Sequence, residues 1–115
     1  MITVLLMRTP SGFLRKITAT GHAGYAKKGT DILCAAVSVI VQTAVGGLQD
    51  VARIQPDCIL ENGRIECGVA APETLDPKAR EAVRIIMETA AIGCRQIELS
   101  YGSRYISVRD AAYTE

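Results

Sequence analysis

A histidine and a cysteine that lie close together in the sequence are the residues best suited to chemistry. His22 is the only histidine, and it follows Gly21 in a stretch that contains several glycines. Cys34 lies just after Asp31, where a strongly apolar segment begins. A thiolate is a nucleophile, and a neighbouring imidazole can take the proton of its thiol. The pair predicts nucleophilic thiol chemistry, whereas the simpler interpretation is a structural loop histidine and a small core cysteine.

The segment after Asp31 is predicted to be a helix that places Cys34 in its first turn. Asp31 is a favourable N-cap because its carboxylate can accept hydrogen bonds from the first amides of a helix. Cys34 is then the third helical residue, close to unpaired amides and to the positive end of the helix dipole, a position that favours a thiolate. Ser38 lies one turn later on the same face.

This first helix is predicted to run to about Ala52 or Arg53 and to be buried on more than one side, because it is apolar almost all round. Its longest apolar run, Ile32 to Val41, is expected to be too short to span a bilayer. The stretch before it, Gly21 to Thr30, is predicted to be a loop in which Lys27 and Lys28 face solvent.

Two predicted hairpins flank this helix in the sequence. In the first, a turn at Thr9 to Gly12 joins strands at Ile2 to Arg8 and Phe13 to Thr20. The simplest pairing sets Val4 opposite Ile17 and Ile2 opposite Ala19. Side chains alternate along a strand, so the other face carries Leu5, Met7 and Leu14.

The second hairpin runs from Cys58 to Glu61 and from Arg64 to Val69 around Asn62-Gly63, the strongest short hairpin signal. Its register sets Leu60 opposite Ile65 and Cys58 opposite Cys67 on one face, with Glu61 and Arg64 paired on the other. We expect the two thiols to face the core. A disulfide between them is the alternative.

A second helix is predicted to begin with Asp76 as N-cap and Pro77 as first residue, and to stop at Gly102. Arg104 to Arg109 is predicted to be a last strand and Ala111 to Glu115 a frayed tail. The order β-β-α-β-β-α-β indicates a single two-layer α+β domain over residues 1–115, with two helices packed on a mixed or antiparallel sheet.

Composition excludes several classes of function. The net charge of +1 with scattered basic residues argues against a direct nucleic-acid binder. We expect neither a secretory signal in the apolar stretch from Met1 to Met7, which Arg8-Thr9-Pro10 ends, nor a membrane partner. The four cysteines form no CxxC and there is one histidine, so no metal site or cofactor is predicted. Mostly buried, reduced thiols suit a cytoplasmic protein.

The segments Gly21-His22-Ala23 and Asp31-Ile32-Leu33-Cys34-Ala35-Ala36-Val37-Ser38 together resemble the signature of the ribosomal-processing cysteine protease family, Prp. The chain length, the element order and the late Tyr101 and Tyr105 also resemble that family. The resemblance implies that His22 and Cys34 are a catalytic dyad. It implies loop ordering or substrate contact for the other matching positions, which are Gly21, Asp31, Ala35 and Ser38.

The same resemblance implies the reaction and the partners. Members of the family remove a short N-terminal extension from a ribosomal protein, large-subunit protein twenty-seven, and are homodimers. The implied mechanism uses the amides near Cys34 and Ala35 to stabilise the oxyanion. Two other interpretations remain open. One is a non-catalytic dimeric module that binds the ribosome or an assembly factor and buries Cys34, and the other is a thiol redox sensor.

Overall fold

The first two strands, which carry alternating apolar side chains, lie in the interior of the sheet.

The computed structural model of the chain describes residues 1–22 and 31–115. The elements follow the predicted order, with one 3-10 turn, Pro72–Thr74, before the second helix. Their bounds are β1 (Ile2–Arg8), β2 (Leu14–Thr20), α1 (Ile32–Asp50), β3 (Asp57–Glu61), β4 (Arg64–Gly68), α2 (Pro77–Tyr101) and β5 (Ile106–Ala112).

The strands form one mixed sheet in the order β3-β4-β2-β1-β5. β1 pairs with β5 in parallel, and the other neighbours are antiparallel. Both helices supply buried residues to the core that the inner strands also line. The predicted two-layer α+β architecture is confirmed. Its largest fully buried side chains are Leu6, Leu14, Ile17, Leu33, Leu48, Met87 and Ile106.

The predicted register of the first hairpin is wrong by two residues. The observed partners are Val4 with Ala19 and Leu6 with Ile17, in place of Val4 with Ile17 and Ile2 with Ala19. Two extra residues on the second strand cause the shift. Gly12, at a φ of 92°, follows the turn, so that the Thr9 amide bonds to the carbonyl of Phe13. Arg15 is then skipped where the register shifts between Met7 and Arg8.

The extra residue at Arg15 also moves Leu14 to the core face, where the sequence had predicted the opposite face. A single inserted residue reverses which face a strand side chain points to. Leu14 is paired with Arg8 and is almost fully buried. Leu5 and Met7 remain on the other face and are only partly covered.

Helix α1 has one fully buried stripe and also packs against α2 through Ile40, so the predicted burial on more than one side holds for these two sides but does not include the outer side. The stripe consists of Leu33, Val37, Val41, Ala44 and Leu48, and Val39 on another side is 61% exposed. The apolar character continues past Val41. The whole helix therefore has the length and composition of a membrane span, although its buried stripe packs into the core.

Glycines let α1 and α2 approach each other closely. A Cβ on Gly93 of α2 would lie 3.1 Å from the Ile40 side chain, and one on Gly47 of α1 would lie 3.4 Å from Ile86. Small residues at such points allow helix axes to come together. These contacts between α1 and α2 hold α1, and with it the first turn of α1, in place within the helical layer.

The β3–β4 hairpin has the predicted register, with Cys58 opposite Cys67 and Glu61 opposite Arg64. Cys67 is fully buried, but Cys58 is exposed because β3 is the edge strand of the sheet. The prediction that both thiols face the core is therefore wrong for Cys58. All four cysteines are free thiols.

The last strand is displaced relative to its prediction and includes part of the predicted tail. β5 begins at Ile106 and continues to Ala112, and the Tyr113 amide then donates to the Arg8 carbonyl at 2.8 Å. Ala111 and Ala112 pair with the parallel strand β1, so the prediction of a frayed tail is wrong for these two residues. Of the predicted loop from Gly21 to Thr30, residues 23–30, including Lys27 and Lys28, lie outside the described residues.

Candidate active site

The predicted chemistry-bearing residues lie around a cleft of about 310 Å³. The cleft lies where β2 ends, where α1 begins and where the β3–β4 hairpin turns. Its lining includes Gly21, His22, Cys34, Ala35 and Ser38 from the sequence prediction. The remaining lining residues are Ile2, Ala19, Val37, Glu61, Asn62, Gly63, Arg64 and Ile65.

Asp31 caps α1 as predicted and places Cys34 third in the helix. Its Oδ1 accepts hydrogen bonds from the amides of Leu33, at 3.0 Å, and Cys34, at 3.3 Å. The Ala35 amide donates to the Asp31 carbonyl at 3.3 Å. The cap and the first helical hydrogen bond therefore engage the amides of both Cys34 and Ala35, the two candidates for stabilising the oxyanion.

The second oxygen of Asp31 makes a contact that the sequence analysis missed. The Cys34 thiol donates to Asp31 Oδ2 at 3.3 Å. A carboxylate at this distance favours the neutral thiol over the thiolate, opposing the effect of the helix terminus. The sequence did indicate that Asp31 and Cys34 share a helix turn, but the rotamer that joins them is a property of the folded site.

His22 lies on the other side of the sulfur. Its Nδ1 is 4.0 Å from Cys34 Sγ, at the outer limit of a hydrogen bond to sulfur. Cys34 is partly buried, whereas His22 is exposed. The sulfur thus has a carboxylate oxygen and an imidazole nitrogen within reach. This arrangement can hold the thiol neutral or, with a small movement of the ring, transfer its proton to the histidine.

Gly21 sets the direction in which the chain enters the site. It has a φ of 92°, and a Cβ there would lie 2.4 Å from the carbonyl oxygen of Met1. Its amide donates to the Gly63 carbonyl at 2.9 Å, which continues the pairing of β2 with β4. Only glycine fits this position, and the residue that follows it is His22.

Ala35 and Ser38 line the cleft on the surface of α1 next to Cys34. Ala35 is exposed. Ser38 Oγ accepts a hydrogen bond from Gln42 Nε2 at 2.8 Å. A hydroxyl that accepts one hydrogen bond can also donate one, so Ser38 can serve as a donor in the cleft.

The second hairpin is the part of the site that sequence reasoning missed. Its turn, Glu61 to Arg64, and the following Ile65 form the wall of the cleft opposite α1. The Asn62-Gly63 signal did predict the turn itself. Its place beside His22 depends on the pairing of β2 with β4, which joins segments that are distant in the sequence.

Two of the other cysteines differ from Cys34 in their surroundings. Burial raises the pKa of the Cys67 thiol to about 11, with a smaller contribution from Cys58. Burial likewise raises the pKa of Cys94 to about 11 against a small opposing effect of Arg95. Among residues 1–22 and 31–115, no group of three or more His, Cys, Asp or Glu side chains is arranged to hold a metal ion.

A family model described as cysteine protease Prp matches residues 1–107. The chain belongs to this family. It is 31% identical over 105 residues to the ribosomal processing cysteine protease Prp of Bacillus subtilis, covering 88% of this chain and 90% of that protein. A shorter match, 69% identical over 26 residues, is to the Prp of Mycoplasma pneumoniae, covering 23% of this chain and 26% of that protein.

Solved structures share the fold. The Staphylococcus aureus Prp bound to a covalently linked product peptide has a TM-score of 0.82 at 21% identity, covering 96% of this chain and all of that one. A Streptococcus mutans protein has a TM-score of 0.78 at 23% identity, covering 98% of this chain and 96% of that one.

Membership of the Prp family makes this protein a cysteine protease and identifies it as a ribosomal-processing protease. The alternative interpretation, a non-catalytic module with a buried Cys34, is contradicted in its structural premise. Cys34 is only partly buried, and it lines the cleft.

Proposed function

We propose that this protease is an endopeptidase that removes the N-terminal extension of large-subunit ribosomal protein twenty-seven, with His22 and Cys34 as its catalytic dyad. One observation carries the proposal. Cys34 Sγ lies in an open cleft at a helix start, 4.0 Å from the Nδ1 of the only histidine in the sequence. The resemblance of the two motifs to the family signature supplies the substrate.

The reaction begins with transfer of the Cys34 thiol proton to Nδ1 of His22. For this the S–H bond must turn away from Asp31 Oδ2, its acceptor at 3.3 Å. The thiolate then attacks the scissile carbonyl carbon, forming a carbon–sulfur bond and an oxyanion. His22 gives its proton to the departing amine, which leaves an acyl-enzyme. Water, deprotonated by His22, releases the acid product and restores the thiol.

The Cys34 amide, on the same residue as the nucleophile, is the candidate donor to the oxyanion. It now donates to Asp31 Oδ1 at 3.3 Å, which is longer than the usual hydrogen bond from an amide to an oxygen. In the proposed reaction it exchanges this weak bond for one to the oxyanion. Such a donor typically contributes about 3 kcal/mol to lowering the barrier.

The other motif residues support the dyad or the substrate. Asp31 accepts a hydrogen bond from the Cys34 thiol before the substrate binds. The backbone conformation of Gly21 places His22 at the cleft. Ala35 and Ser38 border the substrate, with the Ser38 hydroxyl able to donate to a peptide carbonyl. The apolar lining contributed by Ile2 and Ile65 suits an apolar substrate side chain.

The test is incubation of the purified enzyme with the extended ribosomal-protein precursor from the same genome, read by mass spectrometry. Cys34→Ala and His22→Ala are each expected to lower the cleavage rate by several orders of magnitude, because both groups act in one unit. Cys58→Ala is the matched control, since it removes an exposed thiol that lies outside the cleft lining.

Two outcomes decide between parts of the proposal. Cleavage by the Cys34→Ala variant at the rate of the natural enzyme would remove Cys34 as the nucleophile. A precursor that the natural enzyme leaves intact, while it still cleaves other peptides, would remove the ribosomal substrate and leave the dyad in place.

We also propose that the enzyme is a cytoplasmic homodimer. Four free thiols suit a reducing compartment. Apolar residues recur every two turns on the outer faces of both helices, at Ile85, Ile92 and Leu99 on α2 and at Ile32 and Val39 on α1. A second copy related by two-fold symmetry would cover these stripes with the same stripes of its own.

A further inference from the structure

The Asn62-Gly63 turn of the β3–β4 hairpin forms a wall behind the His22 ring. A Cβ built on Gly63 would lie 3.1 Å from His22 Nε2 and 3.7 Å from its Cε1. The other ring nitrogen, Nδ1, lies 4.0 Å from Cys34 Sγ. The imidazole therefore lies between the cysteine and the turn, with one nitrogen toward each.

The turn cannot retreat from the ring, because the sheet fixes its position. Arg64 pairs with Glu61 inside the hairpin and with Thr20 across to β2. One residue further, the Gly21 amide donates to the Gly63 carbonyl at 2.9 Å. The chain that enters His22 and the turn that faces its ring are thus held together directly.

We propose that Gly63 is a positioning residue for His22, a role that rests on the proposed function of His22 as the base. The missing side chain at Gly63 leaves the space in which the imidazole keeps Nδ1 directed at the Cys34 thiol. A Cβ at 3.1 Å is closer than side-chain carbons normally approach, so the ring would have to move by a few tenths of an ångström. His22 is exposed, whereas the sheet holds the turn, so the displacement would fall on the ring.

The experiment compares Gly63→Ala with Gly12→Ala. Both glycines have positive φ, 82° and 92°, so both substitutions strain a hairpin. A Cβ on Gly12 meets no atom within 4 Å, whereas one on Gly63 meets the His22 ring. We expect similar losses of thermal stability. Only Gly63→Ala is expected to lower kcat, by about tenfold or more with KM little changed, because small misplacements of a catalytic group are costly.

A second readout does not depend on the substrate. His22 is the only histidine, so the imidazole proton signals in an NMR spectrum belong to it alone. Gly63→Ala is expected to shift these signals and to change the pH dependence of Cys34 alkylation by iodoacetamide. Gly12→Ala is expected to leave both as in the natural protein.

The proposal is overturned if Gly63→Ala and Gly12→Ala show the same kcat, the same His22 signals and the same alkylation profile. If Gly63→Ala does not fold, Gly63→Asn replaces it under the same criteria, since asparagine tolerates positive φ and still carries a Cβ. A natural enzyme that does not cut the precursor would contradict the proposed substrate. The NMR and alkylation comparison would still decide the role of Gly63.

Discussion

At the scale of single residues, Cys34 Sγ lies between two side chains with opposite effects on its proton. The Asp31 carboxylate favours the neutral thiol, and the His22 imidazole can accept the proton. Residue type and spacing predicted the cysteine, the histidine and the cap, because each follows from local chemistry. They did not predict the contact between the Cys34 thiol and Asp31 Oδ2, since this depends on side-chain rotamers. They also missed Gly63, because its contact with His22 depends on strand pairing.

The four thiols are expected to differ in reactivity toward iodoacetamide in the native protein. At about pH 8, Cys34 and Cys58 should be alkylated, since thiolates react and these two are accessible. Cys67 and Cys94 should be protected, because burial shields them and raises the pKa of each to about 11. Peptide mapping by mass spectrometry gives the modified fraction of each.

Unfolding in denaturant provides the control for this experiment, since all four thiols should then react alike. Alkylation of native Cys67 as fast as that of Cys58 would contradict the buried environment assigned to β4.

At the scale of elements, helix starts and the second hairpin were predictable, and the first hairpin was not. Aspartate before an apolar run and Asn-Gly between strands are local signals with one structural solution. The two extra residues in the first hairpin, Gly12 and Arg15, have no comparable signal. These two extra residues can be identified only once the strand register is known, because it is this register that buries Leu14.

The two helix caps make a matched pair for testing the role of Asp31. Asp31→Ala and Asp76→Ala each remove a carboxylate that accepts amide hydrogen bonds, in the second case from Ala79 at 2.9 Å. Each is expected to lower the free energy of unfolding by about 0.5–2 kcal/mol, measured by urea titration. Only Asp31→Ala is expected to alter Cys34 alkylation.

A third variant separates the cap from the charge. Asp31→Asn keeps an oxygen acceptor for the amides but removes the negative charge beside Cys34 Sγ. We expect stability close to that of the natural protein and an alkylation midpoint at lower pH, because the thiolate no longer faces a carboxylate. An unchanged midpoint would show that the contact with Asp31 Oδ2 has no effect on the thiol.

At the scale of the whole molecule, the helices cover one face of the sheet and leave apolar stripes on their outer side. The fold class was predictable from element order. The strand order was not, because the pairings of β2 with β4 and of β1 with β5 join distant segments. The apolar character of α1 predicted burial on more than one side, but Ile32 and Val39 on its outer side are exposed in the single chain. In the proposed dimer, a second copy would cover this outer side.

Leu99→Arg is expected to convert the proposed dimer to monomers, because it places a charge at the most exposed apolar residue of α2, 84% accessible. Sedimentation velocity measures the change in mass. Leu60→Arg is the control, since it adds the same charge to an exposed residue of the edge strand β3. Dissociation by Leu60→Arg alone would place the interface on the sheet edge instead.

The parallel pairing of β1 with β5 has a consequence for when the cleft can form during synthesis. The Ile2 amide donates to the Tyr105 carbonyl at 2.9 Å, and Ile2 lines the cleft that also contains His22 and Cys34. One edge of β1 therefore stays open until residues 106–112 have left the ribosome, and pairings of such long separation form slowly. A nascent chain can hold both His22 and Cys34 and still lack a finished cleft. The cleft thus depends on a strand, β5, that is synthesised well after both of its reactive side chains.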